Sequence, residues 1–116
     1  MIAVIKKLWQ AFQYSLQGLA CAIEHELAIR LEIFASAIAI PLALYFGHSP
    51  LEKALLIASL LLVFIIELLN SAIEAVVDRI GPEHHPLSGR AKDMASAAVL
   101  IACINALVVW GLVFLL

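Results

Sequence analysis

Charged residues are scarce in this sequence. Only 14% of its 116 residues are Asp, Glu, Lys or Arg, whereas 65% are hydrophobic. The mean hydropathy is +1.07, and soluble domains are on average nearer half apolar. This composition argues against an ordinary soluble domain, and it makes the positions of the few charges informative.

Several common functional motifs are also missing. The chain contains no GxxxxGK[ST] loop, and it has no glycine-rich loop accompanied by HRD and DFG motifs. Its two cysteines, Cys21 and Cys103, form no CxxC pair or other metal-ligand spacing, so we interpret them as small packing residues. Low-complexity tracts and convincing internal repeats are absent. If this chain handles a nucleotide, it uses neither of the two common phosphate-binding scaffolds.

The chain has long uncharged runs instead. Residues 94–116 contain no charge over 23 positions, enough to cross a bilayer core, and shorter runs of 13 and 14 residues cover 54–66 and 33–46. We therefore predict an all-α membrane protein that forms one domain over residues 1–116. Its predicted spans cover about 28–47, 51–80 and 92–116. Pro41 lies inside the first span, where membrane helices tolerate it.

The N-terminal segment has a different pattern. Apolar residues recur at helical spacing on one face, and glutamines occupy the other: Leu8, Phe12, Leu16, Leu19 and Ile23 against Gln10, Gln13 and Gln17. This pattern predicts an amphipathic helix at about 4–25 that lies in the membrane interface. The mixed composition is unlike that of a cleaved signal peptide.

The distribution of Lys and Arg predicts the orientation. Lys6, Lys7 and Arg30 precede the first span, and Arg90 and Lys92 lie in or beside the 81–91 loop, whereas the other loop has only Lys53. The positive-inside rule then places the N-terminus and the 81–91 loop in the cytoplasm and the C-terminus outside.

The second predicted span carries an unusual stripe of carboxylates. Glu67 and Glu74 are seven residues apart and Asp78 is eleven from Glu67, so all three lie within about 20° of one helix face. Asn70 and Ser71 flank this stripe. Ionisable residues inside a span are costly and usually line a functional interior. Interhelical hydrogen bonding would explain Asn70 or Ser71 alone, but it explains three carboxylates poorly.

Other polar residues gather at the cytoplasmic end of the same spans. They are Glu24, His25, Glu26, Arg30 and Glu32 before or within the first span, and Lys92, Asp93 and Ser96 at the start of the third. Carboxylates suit Mg²⁺, a lysine can neutralise phosphate, and a deeper carboxylate can take a proton from a lipid hydroxyl. This arrangement predicts phosphoryl transfer to a lipid. A pore is the alternative, but between residues 54 and 66 only Ser59 is polar.

Two segments carry a family resemblance. "ELLNSAIEAVVDRI" followed by "LSGRAKDMASAAVL" resembles the prokaryotic diacylglycerol kinases, and the likeness extends over nearly the whole chain. The resemblance implies three membrane helices, an N-terminal surface helix and a homotrimer with shared active sites. Expected partners are ATP with Mg²⁺, a membrane lipid and copies of the chain, with no nucleic acid. The expected location is the bacterial inner membrane, and a related branch of the family phosphorylates undecaprenol.

The resemblance also implies residue roles. Glu67 matches the catalytic base, Asn70 the residue beside it, and Lys92 with Asp93 a pair at the phosphates. The remaining matches are Glu26 and Glu74 as metal ligands, Asp78, Tyr14, Glu83, His84 and His85 at the nucleotide, and Ser96 near the lipid. Lys7 stands where the family has an arginine that contacts phosphate and substrate. Ala20 and Leu31 stand where polar residues are expected.

Overall fold

The fold consists of four helices. The computed structural model describes residues 1–116, and its elements are α1 (Ile2–His25), α2 (Leu27–Phe46), α3 (Pro50–Ile80) and α4 (Pro86–Leu115). Helices α2, α3 and α4 are each long and apolar enough to cross a membrane. The predicted all-α class with three spans and a preceding helix is confirmed. Helix α4 begins earlier than the predicted span because its first turns are helical but polar.

Local chemistry explains where α3 begins and ends. Ser49 caps its N-terminus by accepting a 3.2 Å hydrogen bond from the backbone N–H of Glu52, and Pro50 occupies the first turn, where its missing N–H has no cost. Gly81 follows the helix with φ at 152°, a conformation that strains any residue with a Cβ. The chain therefore turns sharply between α3 and α4.

Helix α3 is the centre of the molecule. It packs extensively against α4 and less extensively against α2, while α1 contacts α2 only sparingly. Only 8 of 116 residues are buried, and Ile29 and Leu56 are the only large side chains that are fully enclosed. The radius of gyration is 17.4 Å, whereas a compact domain of this length has about 13 Å. Most apolar surface must therefore be covered by lipid or by other protein chains.

A buried polar contact joins α3 to α4 away from the carboxylate stripe. The indole Nε1–H of Trp110 donates to Ser59 Oγ at 3.1 Å and to the Leu56 carbonyl at 3.3 Å. The Ser59 hydroxyl donates to the same carbonyl at 2.7 Å. Ser59, the one polar side chain in its run, thus has its hydrogen-bonding capacity used within the protein.

We expect Trp110→Phe to lower the free energy of unfolding by about 1 kcal/mol, the usual scale of an interhelical hydrogen bond in membranes. The substitution keeps an aromatic ring but removes the N–H that links the two helices. Reversible unfolding in mixed micelles measures the change. Trp9→Phe is the matched control, because Trp9 is 59% exposed on α1. Equal effects of the two substitutions would contradict a stabilising role for this contact.

Candidate active site

The polar half of α3 forms one wall of the candidate site. The helix has 31 residues and is about 46 Å long, so it exceeds the hydrocarbon core of roughly 30 Å. Glu67, Asn70, Glu74 and Asp78 all lie in its C-terminal half. The Asn70 amide Nδ2 donates to Glu74 Oε1 at 3.2 Å, and both side chains are partly buried. This bond holds the Glu74 carboxylate on the predicted stripe.

Helix α4 supplies a cation to the same wall. The Lys92 ammonium donates to Asp78 Oδ1 at 2.7 Å, and its side chain remains 43% exposed. Glu74 lies close enough to Lys92 to interact electrostatically with it. The ion pair places a positive charge at the edge of the acidic stripe, and its exposed side can bind a phosphate.

A polar cavity of about 300 Å³ opens beside this ion pair. Its lining includes six of the predicted site residues, namely Asp78, Glu83, His84, His85, Lys92 and Asp93. The His85 ring also caps α4, because its Nδ1 accepts a 3.1 Å hydrogen bond from the backbone N–H of Leu87. The sharp turn between α3 and α4 thus brings the loop and the ion pair around one cavity.

Glu67 lies deeper along α3, within electrostatic range of three other acids. The carboxylates of Glu74 and Glu26 are close enough for their charges to act on it, and Glu32 of α2 also interacts with it. The sequence analysis grouped Glu32 with the polar residues at the cytoplasmic end of the spans but assigned it no role in the site. A carboxylate directly before the apolar run 33–46 marks Glu32 as unusual in the sequence. Its proximity to Glu67, however, depends on how α2 is rotated against α3.

Glu26 reaches the acidic group from the junction of α1 and α2. It is the single non-helical residue between them, with φ −114° and ψ 111°. It borders a groove of about 730 Å³ between α1 and α3, which Ser15, His25 and Ser71 also line. The junction therefore brings a carboxylate from a different helix pair towards α3.

Three predicted residues lie apart from these clusters. Lys7 and Tyr14 are exposed on α1, and Ser96 is exposed on α4; none lines the polar cavity or the groove. The chain also has no group of three His, Cys, Asp or Glu side chains arranged to hold a metal ion. A metal would thus need ligands beyond Glu26 and Glu74, for example phosphate oxygens or water.

Comparison with known proteins identifies the family. The profile described as prokaryotic diacylglycerol kinase matches residues 13–114. The chain belongs to the prokaryotic diacylglycerol kinase family. The resemblance carried by the α3 and α4 motifs is thereby confirmed, and the match includes the whole of α2, α3 and the loop between α3 and α4.

Individual relatives in this family are similar over most of their length. The diacylglycerol kinase of Haemophilus influenzae is 54% identical over 99 residues, which cover 85% of this chain and 84% of the relative. That of Escherichia coli K12 is 52% identical over 104 residues, covering 90% and 85%. The Pseudomonas aeruginosa kinase is 45% identical over 111 residues, covering 96% and 90%. The relatives are bacterial, and with its three candidate spans this chain is a bacterial membrane protein.

Proposed function

We propose that this protein phosphorylates diacylglycerol with ATP to form phosphatidic acid. One observation carries the proposal beyond the family match: the Lys92 ammonium is bonded to Asp78 of the same acidic stripe that ends in the deeper carboxylate Glu67. The cation lies at the exposed end of α3, and the carboxylate lies about 10 Å or more inside it. A water-soluble nucleotide and a lipid hydroxyl would approach the stripe from these two ends.

The residues then have distinct roles. Glu67 takes the proton from the lipid hydroxyl, whose oxygen attacks the γ-phosphorus of ATP. The new O–P bond forms as the bond between the γ-phosphorus and the bridging oxygen breaks, and ADP leaves. Lys92, whose ammonium is oriented by Asp78, holds the phosphates at the mouth of the cavity, and Glu83, His84, His85 and Asp93 line the space for the nucleotide. Lys7, Tyr14 and Ser96 would complete the contacts from α1 and α4.

Mg²⁺ is the proposed cofactor. Its preferred ligands are carboxylate and phosphate oxygens, and the carboxylates of Glu26 and Glu74 both lie within electrostatic range of Glu67. Asn70 orients Glu74 through its amide nitrogen, while its own Oδ1 is buried without a hydrogen-bond partner, so another polar group fits there. When bound with ATP, the ion would offset the negative charge of the phosphates. Two protein carboxylates leave positions for those phosphates.

Assembly and orientation are part of the proposal. Eight buried residues form too small a core to enclose a lipid headgroup, a metal ion and a triphosphate, and a cyclic oligomer would cover the acidic stripe. Following the family resemblance, we propose a homotrimer in the bacterial inner membrane. From the excess of Lys and Arg we infer that the N-terminus and the 81–91 loop face the cytoplasm, where ATP is available.

Two other functions make different demands on the structure. An undecaprenol kinase would use the same base and metal ligands, so only the substrate distinguishes it. A channel needs polar groups along the whole span. The only polar side chain between residues 54 and 66 is Ser59, which is 3% exposed and bonded to Leu56 and Trp110. A continuous polar path through one chain is therefore not supported.

Purified protein in mixed micelles tests the function directly. The micelles would contain diacylglycerol or undecaprenol together with ATP labelled at the γ-phosphate. We expect labelled phosphatidic acid and little labelled undecaprenyl phosphate. The opposite preference would assign the chain to the undecaprenol reaction, and no labelled lipid with either substrate would overturn the kinase proposal.

We expect Glu26→Gln and Glu74→Gln to raise the Mg²⁺ concentration needed for half-maximal activity by about tenfold and to lower the rate. Each substitution removes one anionic ligand but keeps the side-chain size. A Mg²⁺ titration at constant free ATP measures the change. Glu24→Gln is the matched control, because Glu24 is exposed on α1 and its side chain forms no hydrogen bond within the chain. Wild-type Mg²⁺ dependence in both variants would show that the proposed ligand pair is wrong.

A further inference from the structure

Arg30 lies one turn into α2 but directs its side chain back to α1. Its Nη1 donates to the carbonyl of Ile23 at 2.8 Å and to that of Glu24 at 2.9 Å. These carbonyls belong to the last turn of α1, where backbone acceptors lack partners within the helix. The guanidinium charge also lies at the negative end of the α1 dipole. Arg30 forms no salt bridge with any carboxylate of the chain.

The backbone places Glu26 between the two parts of this contact. The Glu26 N–H donates to the Ala22 carbonyl of α1 at 2.8 Å, and the Glu26 carbonyl accepts from the Arg30 N–H at 3.3 Å. The main chain of Arg30 thus bonds Glu26 itself. Its side chain bonds the turn of α1 that precedes Glu26. The four bonds close a compact corner around one non-helical residue.

Little else determines the angle at this corner. Helix α1 contacts α2 sparingly, and Glu26 has extended backbone dihedrals that neither helix imposes. A change in the angle between α1 and α2 would move the Glu26 carboxylate relative to Glu67 and Glu74, because those residues lie on α3. Displacements of about 1 Å are enough to disrupt a reacting site.

We propose that Arg30 is a positioning residue that sets the corner between α1 and α2 and so places Glu26 for Mg²⁺–ATP. The inference rests on the proposed role of Glu26 as a metal ligand. It differs from bidentate phosphate binding by Arg30, in which two nitrogens of the guanidinium would point at the nucleotide. Here a single nitrogen serves both carbonyls, and a lysine ammonium can also donate to two acceptors.

The first measurement uses protein free of metal and nucleotide. Hydrogen exchange of the amides in residues 22–30 should be at least about tenfold faster in Arg30→Gln than in wild type, because the corner opens more often. Arg30→Lys should retain most of the protection. Lys6→Gln is the charge-matched control, since Lys6 is exposed on α1 and its side chain forms no hydrogen bond. Unchanged exchange in Arg30→Gln would overturn the proposal.

The second measurement links the corner to the site. Arg30→Gln should raise the Mg²⁺ concentration needed for half-maximal activity by about tenfold, whereas the rate at saturating Mg²⁺ should fall by a smaller factor. Arg30→Lys should largely restore the wild-type Mg²⁺ requirement. In a Glu26→Gln background, Arg30→Gln should add no further shift, because the ligand that it positions is absent. A full additional shift would mean that Arg30 acts directly on the phosphates and would refute the inference. If Glu26→Gln alone shifts nothing, the proposed metal role fails, and the inference fails with it.

Discussion

Glu67→Gln should lower lipid phosphorylation by at least about 100-fold, the scale of general-base catalysis, while nucleotide binding is retained. Glutamine keeps the shape of the side chain but cannot accept the hydroxyl proton. Glu67 is half-buried on α3 and lies within the electrostatic influence of Glu26, Glu32 and Glu74, so removing its charge should not weaken the helix packing. Initial rates in mixed micelles, with binding of a fluorescent ATP analogue measured in parallel, separate the two effects.

The matched control for this substitution lies on the same helix. Glu52→Gln makes the same change in the first turn of α3, where the Glu52 carboxylate bonds His48 and contacts no site residue. It should change the rate by no more than about twofold. Near-normal turnover in Glu67→Gln would remove Glu67 from the mechanism. Loss of nucleotide binding together with turnover would instead indicate that Glu67 supports the fold of the site.

Mixed oligomers should regain activity that neither parent has. Subunits of one kind carry Glu67→Gln and lack the base. Subunits of the other kind carry Lys92→Ala and lack the proposed phosphate-binding cation. If one site combines Glu67 of one chain with Lys92 of another, about a quarter of the sites in a random equal mixture are intact, since each residue is native in half of the chains. The kinase activity of the mixture should therefore clearly exceed the activity of either parent variant, because each parent alone is almost inactive.

The design of this experiment follows from the contacts within one chain. Lys92 is bonded to Asp78 of its own chain, so these two stay together, and the shared-site proposal has the Glu67 carboxylate supplied by a neighbouring chain. Mixing Glu67→Gln with a variant that carries both substitutions is the negative control, because no chain then supplies an intact Glu67. If the complementary mixture restores nothing, each site lies within one chain, and the shared-site proposal fails even if the oligomer is a trimer.

Much of the architecture was predictable from the sequence because it depends on local patterns. Three uncharged runs, one of them long enough by itself to cross a bilayer, predicted three spans, and α2, α3 and α4 confirm that class. The spacing of Glu67, Glu74 and Asp78 needed only the helical repeat to place them on one face. None of these predictions requires knowledge of a neighbouring helix.

Contacts between helices were not predictable in the same way. Helix α4 is apolar nearly all round, so its sequence does not indicate which face meets α3. Nothing local therefore predicted that Trp110 would bond to Ser59 across 51 positions, or that Lys92 would bond to Asp78 across 14. The position of Glu32 beside Glu67 likewise depends on the rotation of α2.

The sequence by itself thus determined the spans, the surface helix pattern, the acidic stripe and the family. Only the tertiary structure decided which side chains from different helices meet, namely the ion pair at the polar cavity, the acids around Glu67 and the return of Arg30 to the end of α1. The physical reason is that apolar periodicity and residue spacing act along one helix, whereas the rotation and crossing of neighbouring helices depend on how their surfaces pack together.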